Sequence, residues 1–157
     1  MNTLIDLIRA NFTNEVALLL ISMLPLIEVK GAIPVGLAMG LDPLRVYGIS
    51  FIGSTIPAIF ILMWIMPIFS LMKKNEKLGK LALWAESKAF KRDERIRKYQ
   101  YWGLFLFTAI PLPGTGVWMG SLIASILTLR KRKSFLTIAI GNLVAASLIF
   151  TFSSFFF

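Results

Sequence analysis

The sequence predicts an all-α integral membrane protein with an inverted-topology repeat, in which each half is a re-entrant helical hairpin followed by a transmembrane helix. Three observations lead to this class. The chain is 57% hydrophobic, with a mean hydropathy of +0.75, which is unusual for a soluble globular domain. Two long blocks carry no charge, and two other apolar blocks are each interrupted near the middle. Clusters of Lys and Arg flank these blocks instead of spreading over a soluble face.

Length and composition limit the chemistry. A few spans and one polar loop use up residues 1–157, so we expect a single membrane domain. The sequence has no Cys and no His, which removes thiol nucleophiles, disulfides, imidazole bases and the usual soft metal sites. We therefore expect no metal and no other cofactor. The net charge of +9 does not indicate a nucleic-acid partner, because the basic residues flank apolar spans.

The first element is a short amphipathic segment, residues 1–13. It lacks the basic region, long apolar core and small-residue cleavage site of a signal peptide. On a helix, Asp6 and Arg9 would lie apart from an apolar side formed by Leu4, Ile5, Ile8 and Phe12. We expect this helix to lie in the membrane interface.

The second element is a predicted re-entrant hairpin, residues 16–41. Its apolar arms, 16–27 and 31–41, have only 12 and 11 residues, with Glu28, Val29 and Lys30 between them. At about 1.5 Å per residue each arm reaches roughly 18 Å, which is about the depth of the bilayer centre. The spacing therefore predicts a charged turn at mid-depth.

Two uncharged blocks, residues 46–72 and 134–157, predict ordinary transmembrane helices. Both exceed the roughly 20 residues needed to cross about 30 Å of hydrocarbon. Gly53, Pro57 and Pro67 are expected to bend the first of them.

The second hairpin, residues 99–129, repeats the length argument. Its arms, 99–112 and 117–129, have 14 and 13 residues and surround "PGTG", a turn-forming cluster that a continuous helix would not contain. Each arm again reaches about 20 Å.

The basic clusters predict the orientation. The connector, residues 73–98, holds ten Lys or Arg against four acids, and its spacing predicts an amphipathic helix on anionic lipid headgroups. A second cluster, Arg130 to Lys133, follows the second hairpin. The positive-inside rule places both in the cytoplasm, and only a hairpin that enters and leaves by one face allows this. We expect a multi-pass protein of the plasma membrane whose first hairpin opens to the opposite side.

Weak internal similarity supports two related halves. The matches are "PL" at 25–26 and 111–112 with an offset of 86, Ala38 and Ala124 with the same offset, and "IGS" at 52–54 with "IGN" at 140–142 with an offset of 88. The change of offset indicates two extra residues between hairpin and span. Because the spans would run in opposite directions, the repeat would be inverted, as in many secondary transporters.

Glu28 and Lys30 are the first candidate site residues. An ionised side chain at the centre of a span costs about 2.5 to 3.5 kcal/mol on insertion scales, so it normally has a function or a specific partner. On a regular helix, positions i and i+2 point about 200° apart, so an irregular turn would be needed for a pair. One interpretation is substrate binding by both, with Pro34 in the same hairpin. The other is a neutralising pair inside the protein.

The second candidate is "PLPGTGVWMGS", residues 111–121. Prolines remove backbone donors and glycines allow tight turns, so unpaired amides and carbonyls would face protein or water. Helix N-termini at such a turn attract anions. The predicted binding residues here are Pro111, Pro113, Gly114, Thr115, Gly116 and Trp118. The alternative is turn chemistry with small residues for close packing.

Ser54 and Asn142 occupy matched positions near the starts of the two spans. We interpret them as supporting residues, and a hydrogen bond that ties two helices together is the favoured role.

The pairing of "EVKGAIPVGLAMG" with "IPLPGTGVWMGSLIA", and a basic linker between them, resembles the putative small multidrug export protein family over nearly the whole chain. That family is itself similar to the DedA membrane proteins. The resemblance implies two opposed re-entrant hairpins and movement of a polyprenyl-phosphate-like lipid across the membrane. Many small-export relatives carry Arg at the position of Lys30. The DedA pattern also has an Arg near its second tip, whereas "PLPGTGVW" has none.

Four functions are open at this point. The leading one is a transporter or flippase for an anionic amphiphile, with a lipid phosphate as a candidate, working as a homodimer. The runner-up is a proton-coupled exporter of cationic drugs in which Glu28 is the coupling site. An intramembrane lipid enzyme is disfavoured by the missing His and Cys. A scaffold subunit would instead use the basic connector as its partner surface.

Overall fold

The computed structural model describes residues 13–72 and 94–155, and the regular secondary structure within these ranges is entirely helical. The predicted interfacial helix (1–13) lies outside the described residues, apart from residue 13. The same holds for the connector (73–98), apart from residues 94–98. Six helices follow in chain order: α1 (Asn14–Ser22), α2 (Glu28–Ala38), α3 (Pro43–Met72), α4 (Glu94–Ala109), α5 (Val117–Ile126) and α6 (Lys131–Ser153).

The first hairpin consists of α1, a five-residue tip (23–27) and α2. The predicted position of the turn is wrong, since Glu28 and Lys30 belong to the first turn of α2 and not to the tip. Pro25 lies inside the tip, where its missing N–H and fixed φ suit a break between helices. The charged residues thus stand at the start of a helix.

Among the described residues, two helices have the length and composition to cross a membrane, over Pro43–Ile68 and Lys131–Ser153, each with a mean hydropathy of 2.0. Pro57 and Pro67 lie inside α3, which continues through both. These two helices, with the overall composition, indicate a membrane protein.

The second hairpin follows the same plan with a longer tip. Here α4 ends at Ala109 and α5 begins at Val117, so residues 110–116 form the tip. The two extra tip residues account for the change of offset between the halves. These two residues lie before α5, inside the hairpin, and not between the hairpin and the long helix as predicted.

The ends of α2 and α5 share one hydrogen-bonding pattern, which fixes the register of the two halves. Leu41 N–H bonds to Gly36 O at 3.3 Å, and Leu129 N–H bonds to Ala124 O at 3.0 Å. Gly40 and Thr128 directly precede these donors and have φ of 73° and 51°. A residue with positive φ at this position is a common way for a helix to end. The two helix ends therefore align at a separation of 88 residues, which is also the separation of Ser54 and Asn142. In this alignment Ala124 lies opposite Gly36, whereas the sequence-based alignment matched it with Ala38.

The helices of the two halves pack in matching ways. Within the first half α1 and α2 pack on α3, and within the second α4 and α5 pack on α6. Between the halves α2 packs on α6, α5 packs on α3, and the two long helices contact each other. A Cβ at Gly53 would overlap Ser22 Oγ, and a Cβ at Gly141 would overlap Thr108 Oγ1. The same close approach of a hairpin helix to a long helix thus occurs twice.

Each half also contributes an apolar cluster. The first gathers around Leu18, Ile21, Ile33 and Val46, and the second around Leu104, Val117 and Ile138. Both clusters include residues of the opposite long helix, Ala145 and Ala146 in one and Ala58 and Leu62 in the other. The crossed packing brings the two hairpin tips together.

Candidate functional site

The carboxylate of Glu28 lies at the N-terminus of α5. Its Oε1 accepts the backbone N–H of Trp118 at 3.0 Å, although the two residues are 90 positions apart. Trp118 is the second residue of α5, whose first N–H groups have no partner within the helix. Glu28 therefore acts as a cap supplied by the other hairpin, and its negative charge faces the positive end of the helix dipole.

Gly116 makes this close approach possible. It precedes α5 with φ of 119°, in the region that favours glycine. A Cβ at this position would overlap the Glu28 carboxylate. Glu28 itself has φ of 46°, which is uncommon for a residue with a side chain. Such strained backbone is retained where surrounding structure holds it, often at functional sites.

Lys30 binds the other end of the broken helix. Its ammonium group donates to Leu112 O at 2.9 Å and to Thr115 O, and it lies 3.5 Å from the Thr115 hydroxyl. These carbonyls follow the C-terminus of α4, where a cation is favoured by the helix dipole. The same ammonium is 3.5 Å from Glu28 Oε2. The two charges thus pair with each other. In addition, Glu28 accepts an N–H at the start of α5 and Lys30 donates to carbonyls that follow the end of α4.

The two charged side chains differ in accessibility. The side chain of Glu28 is 3% exposed, whereas that of Lys30 is 19% exposed. Glu28 Oε2 is buried and has no hydrogen-bond donor among the described residues, its contact with Lys30 being an ion pair only. Of the two charges, the cation is the one that is partly exposed among the described residues.

Thr115 and Trp118 are placed differently from the sequence-based interpretation. The Thr115 hydroxyl lies 2.8 Å from the carbonyl oxygens of Ile110 and Leu112 and accepts the Leu112 N–H, so it organises the tip. The Trp118 indole N–H donates to Met23 O at 3.0 Å, in the first tip. Trp118 and Lys30 are equivalent positions, and each donates to a carbonyl of the opposite tip.

The remaining predicted residues lie around this contact. Pro111 is half-buried in the second tip, where Pro113 and Gly114 are exposed, Gly114 with φ of 80°. Pro34 is inside α2, farther from the tip, and its missing N–H leaves the Lys30 carbonyl without the usual helical partner. Within residues 13–72 and 94–155, no group of three or more acidic side chains is placed to hold a metal ion.

Ser54 and Asn142 are hydrogen bonded to each other across the two long helices. The Asn142 amide donates to Ser54 Oγ at 2.8 Å and to Thr55 Oγ1 at 3.0 Å, and both Ser54 and Asn142 are buried. The tie is away from the tip contact in sequence and involves no charged group.

Sequence reasoning missed the partners of the charged pair. Met23 and Leu112 act through backbone carbonyls, which no side-chain pattern reveals. Gly116 was identified as a turn residue. Its second role, leaving room for the Glu28 carboxylate, depends on contact with α2, which is 88 positions away in the sequence. A glycine directly before a helix N-terminus was the one available signal.

Comparison with known families gives a match. The family described as putative small multi-drug export protein matches residues 28–148, which is more than half of the chain. The matched range begins at Glu28 and includes α3, the second tip and α6 as far as residue 148. Neither the curated proteins nor the solved structures give a match. The chain therefore belongs to the putative small multi-drug export protein family.

Proposed function

We propose that this protein is a membrane transporter for an anionic amphiphile, with Lys30 as the residue that binds the headgroup. The observation that carries the proposal is the difference between the two central charges. Glu28 is covered and hydrogen bonded to α5, whereas Lys30 keeps part of its side chain exposed. Lys binds phosphate as a point charge without the bidentate geometry of Arg. A lipid phosphate is the substrate class that fits this chemistry.

The arrangement of the helices supports transport by alternating access. Equivalent residues of the two halves meet at two points, Glu28 with Gly116 and Ser54 with Asn142. These two meetings support an inverted repeat of re-entrant hairpin and transmembrane helix, in which a pseudo-two-fold axis would pass through both points. In such proteins a midplane site lies between broken helices, and the halves rock about it. The contact between the two tips would then be a gate.

The transport experiment compares Lys30→Met with wild type in proteoliposomes, using a fluorescent alkyl phosphate as the probe. We expect transport to fall by at least tenfold, because Met fills the space of the Lys stem without its charge. Arg45→Met is the matched control, since Arg45 is an exposed cation paired with Glu15 at 2.8 Å away from the tips. Equal transport by Lys30→Met and wild type would reject the proposal.

A second candidate is proton-coupled export of cationic drugs through Glu28. The burial of the Glu28 carboxylate favours it, because Oε2 is held by a 3.5 Å ion pair with Lys30 and not by a close hydrogen bond. This version requires Glu28→Gln to lose drug export. Full export of a cationic dye by Glu28→Gln would reject it.

A further inference from the structure

We infer that Glu28 is a tethered competitor of the substrate, whose carboxylate occupies the anion site at the N-terminus of α5 that an alkyl phosphate headgroup binds. This inference rests on the proposed function and adds two things to it. It names the position of the headgroup, between the Trp118 N–H and Lys30, and it names the group that must leave before the headgroup can bind.

The site at α5 is built for an anion. Trp118 N–H points at a carboxylate oxygen 3.0 Å away, and Gly116 leaves room that a Cβ would fill. The Lys30 ammonium lies 3.5 Å from the second carboxylate oxygen. A helix N-terminus with a cation beside it is a general arrangement for phosphate and carboxylate groups. The Glu28 carboxylate therefore lies in the position, between the Trp118 N–H and Lys30, where a headgroup phosphate would bind.

Glu28 is also held incompletely. Its buried Oε2 lies 3.5 Å from the Lys30 ammonium, which is longer than a usual N–H···O hydrogen bond, so this oxygen is held less tightly than Oε1. A phosphate carries more acceptor oxygens than a carboxylate and can use Trp118 N–H and Lys30 together. Exchange of one anion for the other is the step that opens the contact between the tips.

When Glu28 occupies the site, the substrate can bind only to the fraction of molecules in which the site is free. The apparent affinity for the substrate is reduced in proportion to that fraction. Removing Glu28 should therefore tighten binding of an anionic amphiphile, whereas a purely structural role for Glu28 predicts weaker binding. The sign of the change separates the two roles.

The experiment is calorimetric titration of the full chain, purified in a non-ionic detergent, with dodecyl phosphate. We expect Glu28→Ala to bind about tenfold more tightly than wild type. Glu28→Gln, which keeps the side-chain shape, should show a smaller gain in the same direction. Glu15→Ala is the control for loss of one negative charge, because Glu15 pairs with Arg45 outside the tips, and its affinity should equal that of wild type.

A second pair of variants tests the position. Adding Gly116→Ala to Glu28→Ala should abolish the gain, because the new methyl group occupies the site of the carboxylate. Adding Gly40→Ala should preserve it. Gly40, at the C-terminal end of α2, also has positive φ, so alanine there imposes a comparable backbone penalty, but a Cβ at this position meets no atom within 4 Å.

The outcomes separate this inference from the proposed function. Equal or weaker binding by both Glu28→Ala and Glu28→Gln overturns the inference, even if Lys30→Met still loses transport. A gain that survives Gly116→Ala overturns the assigned position. Retention of dodecyl phosphate binding and transport by Lys30→Met contradicts the proposed function instead.

Discussion

Glu28 accepts the backbone N–H of Trp118 at 3.0 Å and thereby joins the start of α2 to the start of α5. Lys30 completes the contact by donating to carbonyls at the end of α4. One acid and one base, two residues apart, thus neutralise both ends of a broken helix in the other half of the chain. A buried or membrane-embedded break needs such partners, because its amides and carbonyls have none of their own.

The close packing of Gly53 and Gly141 gives a stability prediction. A Cβ at either position would overlap a hydroxyl and a backbone carbonyl of the neighbouring hairpin helix. We expect Gly53→Ala and Gly141→Ala each to lower the free energy of unfolding by about 1–3 kcal/mol through overpacking. Thermal unfolding in detergent measures the change.

The matched controls for these variants are Gly48→Ala and Gly103→Ala. Both glycines lie inside helices, and a Cβ at either meets no atom within 4 Å. Alanine should stabilise these helices by roughly 0.5–1 kcal/mol. If all four variants shifted the unfolding temperature alike, the predicted packing of hairpin helices on long helices would be wrong.

The tie between the long helices gives a second prediction. Asn142→Ala removes the donor to Ser54 and Thr55 and should cost about 0.5–2 kcal/mol of unfolding free energy. Thr151→Ala on the same helix is the control, because its exposed hydroxyl bonds only its own helix, to Ser147 O. A loss no larger than that of Thr151→Ala would show that the tie contributes nothing.

The basic clusters give a topology prediction. The chain has no Cys, so a single introduced cysteine reports its own position. Lys77→Cys and Lys131→Cys should both be labelled by a membrane-impermeant maleimide from the cytoplasmic face only. Labelling of the two from different faces would contradict a second hairpin that enters and leaves by one side.

Sequence reasoning predicted the architecture better than its register. The arm lengths and the uncharged blocks predicted two broken helical pairs and two long helices, because length and hydropathy are local properties. The tip at Glu28 was misplaced, since a charge inside an apolar run looks like a turn until its partner is known. The match of Ala38 with Ala124 differs from the alignment of the helix ends for a similar reason, as two single letters cannot locate an insertion.

The sequence predicted which residues belong to the candidate site, but not which atoms they contact. Glu28, Lys30 and Gly116 were all identified from charge and turn chemistry. Their arrangement depends on backbone groups of Trp118 and Leu112, and backbone partners leave no trace in residue types. Thr115 was interpreted as a ligand donor, yet its hydroxyl serves the tip itself.

The central claim is that the two tips contact each other, and cross-linking tests it most directly. Lys30→Cys and Leu112→Cys would be combined in a chain with a protease site placed in the connector, so that only a cross-link holds the halves together on a denaturing gel. A short bis-maleimide should join them efficiently, because the Lys30 ammonium lies 2.9 Å from Leu112 O. Leu44→Cys with Leu112→Cys should not be joined, because Leu44 lies at the start of α3, beyond the end of α2 that is away from the tips. Equal cross-linking of both pairs, or none of the first, would contradict the account.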